Sequence, residues 1–241
     1  MREKPPFSNG NFRYNKNMEK IIPDIFYGYP VQAFFTKKIQ IEKLKETLRF
    51  KVYMPLQKHT DKVLVINEDT NPEIADAVIT NKKELFLGVK VADCLPVLIY
   101  DPVKKVVGAV HAGWRSTAQG IIKKTILKMI KFYDSLPENL LIAFGPNIKG
   151  CCYEVGDDVI EALKKETPSD EYILRVNGRK HVDLSIANFI QAITAGVKKE
   201  NIWISNDCTY CKNKEYASYR FHKEKAGRQY GIIGLYPKIA D

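Results

Sequence analysis

The sequence predicts a mixed α/β domain, and three observations carry that expectation. Its centre holds three successive apolar, β-branched runs of strand length, at 85–92 (LFLGVKVA), 95–100 (LPVLIY) and 106–111 (VVGAVH). The next segment places Ile122, Ile126, Met129, Ile130 and Tyr133 at i, i+4, i+7, i+8 and i+11, the spacing of a helix with one buried face. Helix-like and strand-like segments continue to the C-terminus with no internal repeat, low-complexity tract or linker, so one domain accounts for the 241 residues.

In chain order, residues 1–20 are polar, with Pro5-Pro6 and several asparagines, and read as a flexible arm ahead of a single domain over 21–241. A strand is expected at 31–35, a short helix at 40–48 and a strand at 63–66. The turn Asp101-Pro102-Val103-Lys104 joins two of the central runs as a hairpin. Ser116 or Thr117 is the expected N-cap of the following helix, and Pro137 stops it. A buried strand at 140–144 ends at Gly145-Pro146, and 157–166 reads as a helix. Asp183 caps another helix running to Ala195, with Gly196 just past its end. Late strands are expected at 201–205 and 230–235.

Composition narrows the classes of function. Hydrophobic residues make up 45% and charged residues 27%, an ordinary globular balance, and no stretch approaches the ~20 apolar residues of a membrane span. The first residues carry charge without a following apolar run, so a cytoplasmic protein is expected. The formal charge of +10 favours anionic partners, but the lysines are spread over helices and turns and no nucleic-acid signature is present. Neither nucleic acid nor a membrane is therefore an expected partner. Five cysteines, an odd number with an adjacent pair, argue against a disulfide framework.

Register arithmetic brings chemistry to the central hairpin. If Asp101 pairs near Lys105 or Val106, paired positions sum to 206 or 207, and Cys94 falls opposite residue 112 or 113, close to His111. A cysteine and a histidine at that separation support either a nucleophile with its base or two ligands of a metal. His59, in the polar loop QKHTDK, is a candidate third ligand. The turn at 113–117 opens a helix whose N-terminus suits an anion, and Arg115 could add a bidentate grip or pack over Trp114. Asp76, Asp93 and Glu154 are acid–base or supporting candidates. Cys208-Thr209-Tyr210-Cys211 is a CxxC whose only complement is Cys151-Cys152, and a structural or incidental role is expected for it.

ADAVIT (75–80), VADCLPVLIYD (91–101), VVGAVHAGWRST (106–117), FGPNIKGCCYEVG (144–156), NDCTYC (206–211) and YASYRFHKEKAGRQYGII (216–233) together resemble the YfiH/YlmD family, over roughly residues 55 to 235. That family was long called laccase-domain or polyphenol oxidase proteins, and its members are described as purine nucleoside phosphorylases that also deaminate adenosine. The resemblance implies a single-domain layered α/β/β/α sandwich with mixed β-sheets. It implies a catalytic metal on His59, Cys94 and His111, zinc with copper as the alternative, and catalytic roles for Cys94, His111 and Arg115. The expected partners are phosphate and the nucleosides adenosine, inosine, guanosine and S-methyl-5'-thioadenosine, with Arg115, Arg220 and Arg228 as the candidate anion-binding residues. The chain departs from the family's usual pattern after Phe35, where it runs TKKIQIEKLKE in place of G-G-V-S and S-L-N-L segments. Thr60 and Ser116 also stand where the family usually has glycine.

Two rival functions remain open from the residues. One is copper-dependent oxidation of phenols, although the chain's four histidines are few for a multicopper enzyme. The other is a metal-free cysteine hydrolase using Cys94 and His111. The oligomeric state, monomer or homodimer, is not legible.

Overall fold

The computed structural model describes residues 18–48, 50–68 and 71–236. The arm expected over 1–20 lies outside the described residues except for Met18, Glu19 and Lys20. The chain runs through β1 (Lys20–Ile21), β2 (Val31–Thr36), α1 (Ile41–Thr47), β3 (Lys51–Tyr53), β4 (Val63–Val65), β5 (Ala77–Thr80), β6 (Leu85–Val91), β7 (Leu95–Asp101) and β8 (Val106–Ala112). It continues through α2 (Trp114–Ala118), α3 (Ile121–Tyr133), β9 (Leu141–Phe144), α4 (Asp157–Lys164), β10 (Ile173–Val176), β11 (Arg179–Val182), α5 (Leu184–Thr194), β12 (Ile202–Ile204), α6 (Tyr219–His222) and β13 (Gln229–Leu235). Among the described residues no helix is long and apolar enough to cross a membrane.

Two mixed sheets form the middle of the molecule. One has the order β1-β2-β13-β6-β3 and the other β12-β9-β7-β8-β5-β4, while β10 and β11 make a separate hairpin. Strand periodicity explains how they stack, because successive side chains leave opposite faces of a sheet. On β7, Val97 and Ile99 join one core with Ile122, Ile126 and Met129 of α3, Leu163 of α4 and Leu184 and Ala187 of α5. The alternate residues Leu98 and Tyr100 point the other way, into a second core with Phe35, Leu87, Val89 and Ile233 of the five-stranded sheet. The outer face of that sheet presents Phe34, Phe86, Tyr230 and Ile232 to Leu44 of α1. The layers are therefore helix, sheet, sheet, helix, as expected. β7 has no solvent face at all, which is why it reads as an unbroken apolar run.

Two details differ from the sequence reading. The helix after β8 is not capped by Ser116 or Thr117. Gly113 is its N-cap, both hydroxyl residues lie buried inside α2, and Gly120, at a left-handed φ of 72°, separates α2 from α3. Ser116 Oγ turns back onto the carbonyls of His111 and Gly113, and Thr117 Oγ1 accepts a bond from Asn188. The helix break arises because a left-handed residue cannot continue an α-helix. Secondly, β3, β5 and the β10–β11 hairpin were not anticipated. By contrast, Asp183 caps α5 through Oδ1, accepting from the Ser185 and Ile186 amides, and Gly196 follows at φ 96°.

Topology positions the chemistry. β3 belongs to the five-stranded sheet and β4 to the six-stranded one, so the loop bearing His59 crosses between layers. β6 and β7 are divided the same way, and Cys94 lies in their three-residue crossing.

Candidate metal centre

β7 pairs with β8 antiparallel, with Leu95 opposite Ala112 and Pro96 opposite His111. Paired positions sum to 207, so Cys94 sits beside the end of β8 and next to Gly113. The ligand atoms of His59, Cys94 and His111 lie within 4.8 Å of one another. The His59 and His111 rings meet edge to face with centroids 4.8 Å apart.

One carboxylate organises both histidines. Asp76, just before β5 and fully buried, receives the amides of Lys58, His59 and Thr60 at 3.2, 3.0 and 2.6 Å. It also receives the Thr60 hydroxyl at 2.8 Å and His111 Nδ1 at 2.7 Å, while the His111 amide donates to the Asp76 carbonyl at 2.7 Å. These bonds hold the loop in a shape that gives His59 a positive φ of 59°, a conformation costing of order 1 kcal/mol or more for a non-glycine residue. On a neutral His111 ring they favour the proton at Nδ1, so that Nε2 is the nitrogen available to a metal.

The electrostatics follow from this geometry. Burial opposes the Asp76 carboxylate, but the His111 and Thr60 hydrogen bonds outweigh it and bring its pKa down to about 2. Burial likewise opposes charge on His111, yet its interactions with Cys94 and Asp76 raise its pKa to about 9. Burial, with repulsion from His111, lowers the pKa of His59.

The residues fit a metal on two observations. His59 Nδ1 is buried without a hydrogen-bond partner, a costly state for a polar atom unless another group engages it. A Cβ placed at Gly113 would stand 2.7 Å from His59 Nδ1 and 3.2 Å from Cys94 Sγ, so the glycine keeps open the space those atoms face. Two imidazoles and a thiolate suit zinc, and three protein ligands leave a position for a reactant. Of the other histidines, His181 Nδ1 bonds the Gly150 carbonyl and His222 Nδ1 the Ser218 carbonyl, and neither joins the trio.

The surroundings divide the remaining candidates. Arg115 lies over the Trp114 ring at 4.3 Å, close enough to His59 to disfavour its protonation. Asp93, at φ 80°, accepts the Thr209 hydroxyl and the Arg220 amide, both at 2.6 Å, and so fixes the turn before Cys94. The Arg220 guanidinium lies over Tyr153 at 5.2 Å and donates to the Glu154 carbonyl. Tyr153 feels Cys94, Arg220, Asp93 and Arg115, and burial is the main cause of its raised hydroxyl pKa. Glu154 is turned outward to Arg179. Arg228 donates to the Ala226 and Gly227 carbonyls of its own turn. Sequence reasoning missed Tyr153, whose only signal was an aromatic ring after the cysteine pair. The family departures gain a physical role: the Thr60 hydroxyl binds Asp76, and the Ser116 hydroxyl binds the His111 carbonyl at 3.1 Å.

Fold and site together define a two-sheet α/β protein with a His–Cys–His cluster at the crossings between its sheets. The chain belongs to the family described as multi-copper polyphenol oxidoreductase laccase, whose family model matches residues 38–236. It is 37% identical over 193 residues to a protein of Aquifex aeolicus named purine nucleoside phosphorylase, covering 80% of this chain and 87% of that one. It is 33% identical over 198 residues to adenosine deaminase RL5 from an unknown prokaryotic organism, covering 77% and 74%. The crystal structure of YlmD from Geobacillus stearothermophilus superposes with a TM-score of 0.81 at 25% identity, covering 88% of this chain and 94% of that one.

Proposed function

We propose that this protein is a zinc-dependent purine nucleoside phosphorylase that also deaminates adenosine, working in the cytoplasm. The observation that carries the reading is the convergence of His59, Cys94 and His111 within 4.8 Å, with His59 Nδ1 left without a protein partner. The names of the relatives supply the substrate class, purine nucleosides with phosphate as co-substrate and adenosine for deamination; within that class the proposed substrates are adenosine, inosine, guanosine and S-methyl-5'-thioadenosine.

His59, Cys94 and His111 would hold a divalent zinc, which would supply Lewis acidity near neutral pH. The protein's own groups do the rest. Asp76 holds the His111 ring and the His59 loop in place. Arg115 and Arg220 flank the site as cations able to bind phosphate by two parallel N–H donors. Arg228 is proposed in an outer role, because its guanidinium is held on its own turn. Tyr153 offers an aromatic face against which a base can stack. In phosphorolysis a phosphate oxygen bonds to the anomeric carbon of the ribose as the bond to the purine nitrogen breaks. The purine leaves with that electron pair and takes up a proton, giving free base and ribose 1-phosphate. In deamination water replaces the six-amino group of adenine, and ammonia departs.

Zinc-loaded protein incubated with adenosine and phosphate tests the reading. Adenine with ribose 1-phosphate, and inosine with ammonia, are the expected products; formation of neither defeats it. A second reading has one observation in its favour: Cys94, His111 and Asp76 also form the chain of a cysteine hydrolase, with the carboxylate orienting the base. Turnover that survives a chelator but not thiol alkylation would favour that reading. Copper-dependent phenol oxidation is less well supported, because only two of the four histidines reach the trio.

A further inference from the structure

A second group of metal-ligating side chains lies outside the trio. Cys151 and Cys152 stand in the loop before α4, and Cys208 and Cys211 in the loop before α6. The sulfur atoms are 3.4 Å apart for Cys151–Cys152, 3.9 Å for Cys151–Cys211 and 3.3 Å for Cys152–Cys211, and all four lie within 4.8 Å of one another. We propose that Cys151, Cys152, Cys208 and Cys211 hold a structural zinc ion in a closed four-thiolate site.

Geometry favours this over a disulfide. Zinc–sulfur bonds of about 2.3 Å in a tetrahedron put the sulfurs about 3.8 Å apart, and the observed separations fall around that edge. A disulfide needs about 2.05 Å and joins only two of the four. The CxxC is also shaped to hold a ligand. Cys208 Sγ accepts the Lys149 amide at 3.4 Å and further amide bonds from Tyr210 and Cys211, so backbone donors from both loops already point at a sulfur that carries negative charge when ligating. The set contains no carboxylate and no imidazole. Four soft sulfurs select zinc or iron and exclude magnesium and calcium. Cys208 is buried, Cys152 half-buried and Cys151 and Cys211 exposed, so the ion would sit at the surface with a route in.

The proposed ion would staple two loops that together brace the first centre. Asn147 pairs with Cys208, and the Thr209 amide donates to the Asn147 carbonyl at 3.1 Å. From the same loops, the Thr209 hydroxyl and the Ile148 amide both bind Asp93, the residue before Cys94. The site is independent of the trio's chemistry, so it stands or falls without the catalytic reading.

Native mass spectrometry of the purified wild-type chain, with zinc counted by elemental analysis, is the test. The double variant Cys151→Ser/Cys211→Ser removes the two exposed ligands and leaves buried Cys208 in place. It is expected to contain one zinc per chain fewer than wild type, while His59→Ala/His111→Ala retains that ion. In wild type, slow alkylation of four thiols should accelerate when a chelator removes the zinc, a readout that requires no variant. The proposal is overturned if wild type carries a disulfide among these cysteines. It is also overturned by iron at the site, by unchanged zinc content in the cysteine variant, or by four thiols that react freely with no zinc released.

Discussion

Replacing Asp76 by Asn keeps the shape of the side chain and removes its charge. In the folded protein the carboxyl titrates at about 2 against an ordinary 3.8. At about 1.4 kcal/mol per unit, the contacts that depend on its charge contribute about 2.5 kcal/mol. The sign is that of a depressed acid: this stability is fully present above the ordinary value and is lost as pH falls through about 2. Asn loses more than protonation alone removes. Its amide hydrogens must face either the Oδ1 donors, His59 N and His111 Nδ1, or the Oδ2 donors, Lys58 N and Thr60. In the less costly orientation, toward the Oδ1 donors, the His59 amide conflict persists whatever the His111 tautomer and adds about 1 kcal/mol, so the metal-free variant should unfold with about 3–4 kcal/mol less stability near neutral pH. The conflict at His111 is relieved only if its proton moves to Nε2, which blocks the ligand lone pair. Zinc affinity should therefore fall about 10–100-fold. Urea unfolding of metal-free protein between pH 2 and 7, with zinc titration against a competing chelator, reads both effects. A variant with wild-type stability and wild-type zinc affinity would refute the role given to Asp76.

Gly113→Ala should cost about 1–3 kcal/mol and weaken zinc binding, since the new methyl stands 2.7 Å from His59 Nδ1; unchanged affinity would mean that His59 does not face that space. Arg115→Ala and Arg220→Ala should each raise the KM for phosphate about 10–100-fold, the loss of one charged hydrogen-bonding group, while leaving adenosine deamination nearly intact; equal loss of both reactions in steady-state assays would count against an anion-binding role. Tyr100→Phe removes a buried hydroxyl that has no hydrogen-bond partner and should be neutral or stabilising by up to about 1 kcal/mol; thermal unfolding at a clearly lower temperature would show that the hydroxyl is engaged.

The mixed α/β class and two members of the trio are legible because they follow from periodicity and register, whereas the four-layer arrangement is implied by the family resemblance. The alternation along β7 sends Val97 and Leu98 to different cores, and hairpin register alone brought Cys94 to the end of β8. His59 was not reachable that way. Its position depends on three amides folding around a carboxylate that lies 16 to 18 residues downstream, a long-range hydrogen-bonding event with no periodic signature. β3 is three residues long and begins with lysine, and the β10–β11 hairpin is only partly buried, so neither shows a strong apolar pattern. Ser116 looked like a cap because its hydroxyl suits one, but tertiary contacts turned it onto the His111 carbonyl. The four cysteines stand out in the sequence as a CxxC and its one possible complement, but their mixed spacing, adjacent in one loop and CxxC in the other, does not separate a structural role from an incidental one.

The crossings between the sheets carry a mechanical consequence. His59 and Cys94 ride on connections that pass from one sheet to the other, while His111 lies next to the last residue of β8, within the six-stranded sheet alone. An ion bound by all three would act as a rivet through the stack, resisting any slide of one sheet over its neighbour. Shear between the layers would then be the motion that opens this centre, and the apolar seam of Leu98, Tyr100, Phe35 and Leu87 would be the bearing on which it moves.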